Sequence, residues 1–195
     1  PNYKTHCECK QENINSALDY LFVAWEYNDL SSILLKKYKY NYVRDISTYL
    51  SDFFIESIKS STFGEILNET LLISVPLTKK RYKERGFNQV TEISYKIGKA
   101  FNIPFEESLI RRTNGSGHQA LRDKDERRKI RKDSFILNKN LSTTKYQRIT
   151  IVDDVITTGA TLEAISSLIR ENSDYSIEVN GLCLFRGKPY YLETD

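Results

Sequence analysis

The sequence predicts an α/β fold: a central, mostly parallel sheet flanked by helices, with a small N-terminal appendage or hood. Short apolar runs alternate with segments of helical period, which implies parallel pairing through crossovers. Two short runs, Leu71–Val75 and Ile149–Val152, are apolar apart from Ser74 and Thr150, which suits strands buried on both faces. A third, Ile177–Phe185, is apolar enough to be another central strand. Ligands of such sheets bind beyond the carboxyl ends of the strands.

The elements follow in order. Residues 1–20 read as a polar N-terminal segment carrying His6, Cys7 and Cys9, and residues 21–195 as the main domain. Leu21–Tyr27 is aromatic and apolar, a candidate strand. Asn28 and Asp29 offer a helix cap. The helix that follows runs to Tyr40, with Leu30, Ile33, Leu34 and Lys37 expected on its inner side. A second helix spans Val43–Ile58, with Ile46, Leu50, Phe53, Phe54 and Ile58 inward. Residues 60–69 read as a loop. The strand Leu71–Val75 stops at Pro76, and a basic loop, Lys79–Arg85, comes next. A helix covers Asn88–Phe101 with Val90, Ile93, Ile97 and Ala100 inward. Strands are expected at Glu107–Arg111 and Phe135–Leu137. Between them residues 112–126 carry glycine, serine and charge without apolar period, the composition of a lid.

The 195 residues fit one domain with a small addition, and 39% hydrophobic residues allow a full core. No apolar run approaches the ~20 residues of a membrane helix, so no membrane insertion is expected. A net charge of +3 permits a polyanionic partner without requiring one. Three cysteines, Cys7, Cys9 and Cys183, form no disulfide framework, which points to a reducing, cytoplasmic setting. The chain starts at Pro1 and holds no methionine, so it is expected not to be a whole translation product as numbered: either the start was removed or residues before Pro1 are missing.

One run carries chemistry: Ile149-Thr-Ile-Val-Asp-Asp-Val-Ile-Thr-Thr-Gly-Ala-Thr161. A buried strand delivers two adjacent carboxylates, Asp153 and Asp154. A turn of hydroxyls and one glycine follows, and then a helix with Leu162, Ile165, Leu168 and Ile169 in a stripe. A sugar phosphate needs this order of parts. Backbone N–H groups of the loop and the helix N-terminus hold phosphate, and the carboxylates accept hydrogen bonds from vicinal hydroxyls. The bland alternative is an acidic strand end and a capped helix, since Asp and Thr are ordinary cap residues. A Walker loop is excluded by the lack of Gly-Lys-Thr/Ser, and no Gly-x-Gly-x-x-Gly follows a strand.

The run resembles the signature of type I phosphoribosyltransferases, which implies that fold. In that family the acidic pair binds the 2′- and 3′-hydroxyls of 5-phosphoribosyl 1-pyrophosphate (PRPP). The loop, here Thr157, Thr158, Gly159, Ala160 and Thr161, binds the 5′-phosphate. The resemblance also implies a pyrophosphate loop at Pro76, Leu77, Thr78, Lys79 and Arg81, and Mg²⁺ bound through PRPP near Asp153 and Asp154. In the branch acting on 6-oxopurines an Asp serves as base where this chain has Thr157, which argues against hypoxanthine or guanine as acceptor.

Arg81-Tyr-Lys-Glu-Arg85-Gly86-Phe87-Asn88-Gln89 resembles a stretch of the ComF family, phosphoribosyltransferase-like proteins associated with natural competence. Arg111, Arg112, Thr113, Gln119, Leu121 and Arg127 occupy the places of that family's further Arg and Gln residues. Arg85, Arg111, Gln119 and Arg127 are therefore candidate lid or auxiliary contacts. At the start of a helix, Arg85 has two candidate roles, phosphate contact and pinning of the loop. ComF proteins often carry an N-terminal zinc finger. Cys7 and Cys9 would be part of its remnant, although Cys-x-Cys departs from the usual Cys-x-x-Cys and four ligands are normal. His118 has a lid position, with a solvated loop histidine as the bland reading.

The resemblance implies a cytoplasmic protein that binds PRPP or a related phosphoribosyl ligand and handles incoming single-stranded DNA, with a competence helicase-type protein as a partner. The cluster Tyr38, Lys39, Tyr40, Tyr42 and Arg44 offers charge and stacking for single strands, or simply a helix's solvated face and core contacts. A metabolic phosphoribosyltransferase with an unidentified nucleobase-like acceptor and a silent PRPP-binding regulatory module remain the alternatives.

Overall fold

A computed structural model describes residues 16–40, 44–113, 134–139, 141, 146–173 and 176–187. The elements are β1 (Tyr20–Glu26), α1 (Asp29–Tyr40), α2 (Arg44–Lys59), α3 (Phe63–Ile66), β2 (Thr70–Ser74), α4 (Lys79–Arg85), α5 (Gln89–Phe101), β3 (Ile110–Arg112), β4 (Phe135–Leu137), β5 (Arg148–Ile156), α6 (Ala160–Glu171) and β6 (Glu178–Arg186).

Four strands form one parallel sheet in the order β1-β6-β5-β2. The expected α/β class and central parallel sheet are observed. β3 and β4 pair antiparallel as a separate ribbon, with Arg112 opposite Phe135. β2 sits at the edge of the four-stranded sheet, next to β5, with Ser74 opposite Val152. The end of β2 therefore lies beside the Val152–Asp153 step of β5, which continues to Ile156 along β6.

Two apolar layers sandwich the sheet. On one face Ile73, Ile149, Ile151, Val179 and Cys183 pack with Leu162, Ile165 and Ile169 of α6 and with the β3–β4 ribbon. On the other, Leu72, Val152, Leu182 and Leu184 pack with Leu35 of α1, Phe54 and Ile58 of α2, Phe63 of α3, and Ile93 and Ile97 of α5. Alternate residues of a strand point to opposite faces, and β5 obeys this rule throughout its apolar half. A hood of aromatic rings closes the β1 edge: Trp25 packs near Phe53, Phe54 and Phe185, and Phe22 near Phe63.

Several expectations are corrected. Residues 60–69 include the short helix α3, which buries Phe63. Lys79–Arg85 is a helix, because the Thr78 hydroxyl caps it by accepting from Arg81 N at 3.2 Å and Gly86 ends it at φ 75°. Leu30 and Ile33 are exposed, as is Lys37, and Ser31, Leu35 and Tyr38 make the buried stripe of α1 instead. Phe53 is 64% exposed, since Leu50, Phe54 and Ile58 already fill the inner face of α2. Ala100 is exposed as well.

Candidate functional site

The site lies at the carboxyl ends of β2 and β5. Strand alternation separates the acidic pair: Asp153 follows Ile151 toward the face of α6 and the β3–β4 ribbon, and Asp154 follows Val152 toward α1 and α5.

Asp154 is 7% exposed and fully engaged on one oxygen. Its Oδ2 lies 2.6 Å from Lys39 Nζ and accepts from Gln89 Nε2 at 2.8 Å. Arg85 Nη1 in turn donates to Gln89 Oε1 at 3.2 Å. The relay spans the turn between two helices: Arg85 is the last residue of α4 and Gln89 the first of α5, with left-handed Gly86 and extended Asn88 turning the chain between them. Lys39 is placed by its neighbour Tyr38, which is buried against Phe87 and whose hydroxyl donates to Glu92 Oε2 at 2.9 Å. Burial and the Glu92 carboxylate push the Tyr38 phenol far up, so it stays neutral.

The electrostatics follow from these contacts. Burial alone would raise the Asp154 carboxyl. The Lys39 charge, the hydrogen bonds from Lys39 and Gln89, and the Arg85 charge outweigh it and hold Asp154 below the ordinary carboxylate value. Asp153 goes the other way. Burial and the neighbouring Asp154 charge push it up to about 8, despite the Asp154 N–H that donates to its Oδ1 at 2.9 Å and the nearby charges of Lys39 and Arg112. The pair thus divides into one firmly ionised carboxylate and one that readily holds a proton.

The phosphate side is built from backbone. Thr157 and Thr158 are exposed, and Gly159 adopts φ 75°, a left-handed conformation that glycine accepts at no steric cost. No side chain caps α6. By contrast Asn28, Thr78 and Asn88 cap α1, α4 and α5 through hydrogen bonds to Ser31 N, Arg81 N and Val90 N. The first N–H groups of α6, at Ala160 and Thr161, are therefore open to an anion. Beside them, Val75 N donates to Val152 O at 3.0 Å, and Val75 O accepts from Asn88 Nδ2 at 3.0 Å. These bonds pin the start of the loop Pro76–Thr78 against β5.

The chain was compared with known proteins. It is 30% identical over 183 residues to competence protein F of Haemophilus influenzae, covering 92% of this chain and 79% of that one. The chain belongs to the competence protein F family. This family member is also 29% identical to the DNA utilization protein YhgH of Escherichia coli O157:H7, covering 78% and 66% of the two chains. It is 31% identical to competence protein ComFC of Bacillus subtilis, covering 75% of this chain and 56% of that one. A hypoxanthine phosphoribosyltransferase structure from Staphylococcus aureus overlays with a TM-score of 0.40 at 12% identity, covering 73% and 64% of the two chains. No family model matches.

In this ComF-family chain the structure brings Asp153, Asp154, the 157–161 loop and Pro76–Thr78 to one end of the sheet. Lys79 and Arg81 lie on α4, exposed, rather than in a loop. Arg85 is 6% exposed and donates to Gln89 Oε1. Arg111 is exposed on β3, whereas its neighbour Arg112 lies over the Phe135 ring and carries the charge felt by Asp153. Of the acidic pair, Asp153 is half-buried and Asp154 buried. Tyr38 is core and Lys39 is committed to Asp154, so neither serves the single-strand cluster. Gln119, Arg127, His118, Tyr42, Cys7 and Cys9 lie outside the described residues. Among the described residues no cluster of three His, Cys, Asp or Glu side chains is placed to hold a metal, and no helix is long and apolar enough to cross a membrane.

Sequence reasoning missed Lys39 and Gln89 as members of the site. Gln89 was visible as the last residue of the Arg85–Gln89 stretch, although its contact with Arg85 depends on the turn between α4 and α5. Lys39 left no signal, because its role depends on α1 crossing the end of β5.

Proposed function

We propose that this competence protein F relative is a phosphoribosyltransferase-like protein that binds PRPP or a related phosphoribosyl ligand. We further propose that it acts in natural competence, handling incoming single-stranded DNA. One observation carries the first part: an acidic pair near the carboxyl end of β5 precedes, by the last two strand residues and a three-residue turn, an uncapped helix N-terminus turned by Gly159. The first feature suits vicinal hydroxyls and the second a phosphate monoester. The spacing of three residues between Asp154 and Thr158 suits the two ends of one ribose 5-phosphate. The loop Pro76–Thr78, with backbone groups beside the pair, suits a pyrophosphate on the sugar's other end.

Mg²⁺ fits as an ion carried largely by the ligand. Asp154 is spoken for by an ammonium, and Asp153 offers one partly accessible carboxylate. A hard cation prefers six or more oxygens or waters, so the oxygens of PRPP would supply most of them. When bound it would neutralise charge on the pyrophosphate. The chain's own residues would orient the sugar and accept its hydroxyl hydrogen bonds. The competence role rests on the names of the relatives, and the DNA ligand on the name of the YhgH relative. A helicase-type protein would be the natural partner in that setting.

Calorimetric titration with PRPP and Mg²⁺ tests the first part. The expected result is specific binding, lost by at least tenfold in Asp153→Asn/Asp154→Asn, since charge-assisted hydrogen bonds each contribute about 1.5–3 kcal/mol. Equal affinity in wild type and double variant would sink the site. Titration with single-stranded DNA at several salt concentrations tests the second. Steeply salt-dependent affinity supports it, and a PRPP-only protein that releases pyrophosphate to a base would move the reading to metabolism.

A further inference from the structure

Each carboxylate of the acidic pair keeps one oxygen. Asp153 Oδ1 accepts from the Asp154 N–H, and Asp154 Oδ2 is held by both Lys39 and Gln89. Among the described residues none donates to Asp153 Oδ2 or Asp154 Oδ1. The two internal contacts on Asp154 thus fix its rotamer and leave its other oxygen without an internal donor. Two oxygens without an internal donor, one from each of two neighbouring side chains, suit two adjacent hydroxyls.

We propose that Lys39 and Gln89 are positioning residues that set the requirement for an intact cis-diol on the bound sugar. The proposal rests on the ribose reading of the pair given above and goes beyond it by naming the groups that make the pair selective. Sites built to hydrogen-bond a hydroxyl reject the analogue lacking it strongly, because buried polar groups are left unpaired. That penalty depends on Asp154 being unable to swing to another partner. Lys39 is the tether that prevents this, since an ammonium at 2.6 Å from a largely buried carboxylate is its strongest contact. Lys39 arrives from α1 and Gln89 from α5, so two elements on the same layer grip one oxygen from different directions. Arg85 steadies Gln89 from behind. Without the tether, Asp154 is free to rotate and its oxygens serve a deoxy sugar about as well as a ribose.

The test is paired titration of ribose 5-phosphate and 2-deoxyribose 5-phosphate against wild type, Lys39→Met, Lys39→Arg and Gln89→Leu, with inorganic phosphate as a third probe and thermal melting as a check of folding. In wild type ribose 5-phosphate is expected to bind at least about 30-fold more tightly than the deoxy sugar. In Lys39→Met and Gln89→Leu that ratio falls below about 5 through loss of ribose affinity, while phosphate affinity stays within threefold. Lys39→Arg restores most of the ratio, which a packing role for Lys39 does not predict. An unchanged ratio in a folded Lys39→Met, or an equal loss for both sugars and phosphate, overturns the proposal and leaves the ribose reading standing. Should Lys39→Met not fold, the Lys39→Arg and Gln89→Leu ratios decide. Wild type that binds phosphate but discriminates neither sugar overturns the ribose reading itself, and the proposal with it.

Discussion

At the scale of single residues, Asp153 and Asp154 show how one peptide bond can separate two chemistries. They are identical and adjacent, yet strand alternation gives them opposite surroundings. Asp154 meets an ammonium and an amide, and Asp153 meets burial and its neighbour's charge. This makes a prediction about stability. Between the ordinary carboxylate value of 3.8 and about 8, the folded protein holds a proton on Asp153 more tightly than the unfolded chain does. Stability therefore falls as pH rises through that window. Asp154, lowered, contributes the opposite sign: stability present above 3.8 and lost as pH falls below it. Asp153→Asn removes only the first effect. Without ligand, the melting temperature of wild type should drop between pH 5 and pH 8 by more than that of Asp153→Asn, and parallel curves would count against the assignment. Of this site, the acid pair, loop and glycine were legible because they are contiguous and their chemistry follows from residue type. Lys39 was not, since 115 positions separate it from its partner and only packing joins them.

At the scale of elements, the joint between β2 and α5 depends on Asn88. Its Oδ1 accepts from Val90 N at 3.2 Å, and its Nδ2 donates to Val75 O at 3.0 Å. One buried side chain therefore starts a helix and satisfies the last carbonyl before the candidate pyrophosphate loop. Asn88→Ala should cost about 1 kcal/mol for the cap and about 1 kcal/mol for the orphaned carbonyl. Urea denaturation should show the resulting loss of about 2 kcal/mol, and a loss under 0.5 kcal/mol would mean that neither bond is formed. Helix α5 was readable almost to the residue, because Asn88 is a cap residue and Val90, Ile93 and Ile97 repeat at helical spacing. Helix α4 was not readable, because Lys79–Arg85 carries no apolar stripe and its helicity comes from the Thr78 cap and the Gly86 stop. Helix α1 was readable in extent and misread in orientation. Leu30 and Ile33 look like core residues, yet Tyr38 must turn inward to meet Phe87, and that rotation carries them to the surface.

At the scale of the molecule, three layers meet at Gly181 of β6. A β-carbon there would lie 2.8 Å from Leu21 Cδ1 of β1 and 3.0 Å from Leu162 Cδ1 of α6. The glycine lets the edge strand and the phosphate-loop helix close over the middle of the sheet. An added methyl displaces only flexible leucine ends, but a branched side chain overfills the space. Gly181→Val should destabilise by about 1–3 kcal/mol, with a lower urea midpoint and an unchanged slope. An unaltered midpoint would show that the layer has slack. The α/β class was legible because buried parallel strands are predominantly apolar runs. The strand order was not legible, since nothing local to β1 says that it pairs with β6 rather than with a nearer strand.

That pairing also governs when the protein can fold. Among the described residues β1 joins the sheet only through β6, with Tyr20 opposite Asn180 and Glu26 opposite Arg186. About 150 residues separate the two strands along the chain. At a synthesis rate of about 5–20 residues per second, β1 emerges from the ribosome roughly 10 to 30 s before its partner exists. For that interval Phe22, Val23 and Trp25 have no strand beside them, and the hood cannot close. The protein is thus committed to completing its sheet late in translation, and nascent chains halted before Glu178 should remain open to protease at β1 while full-length chains resist.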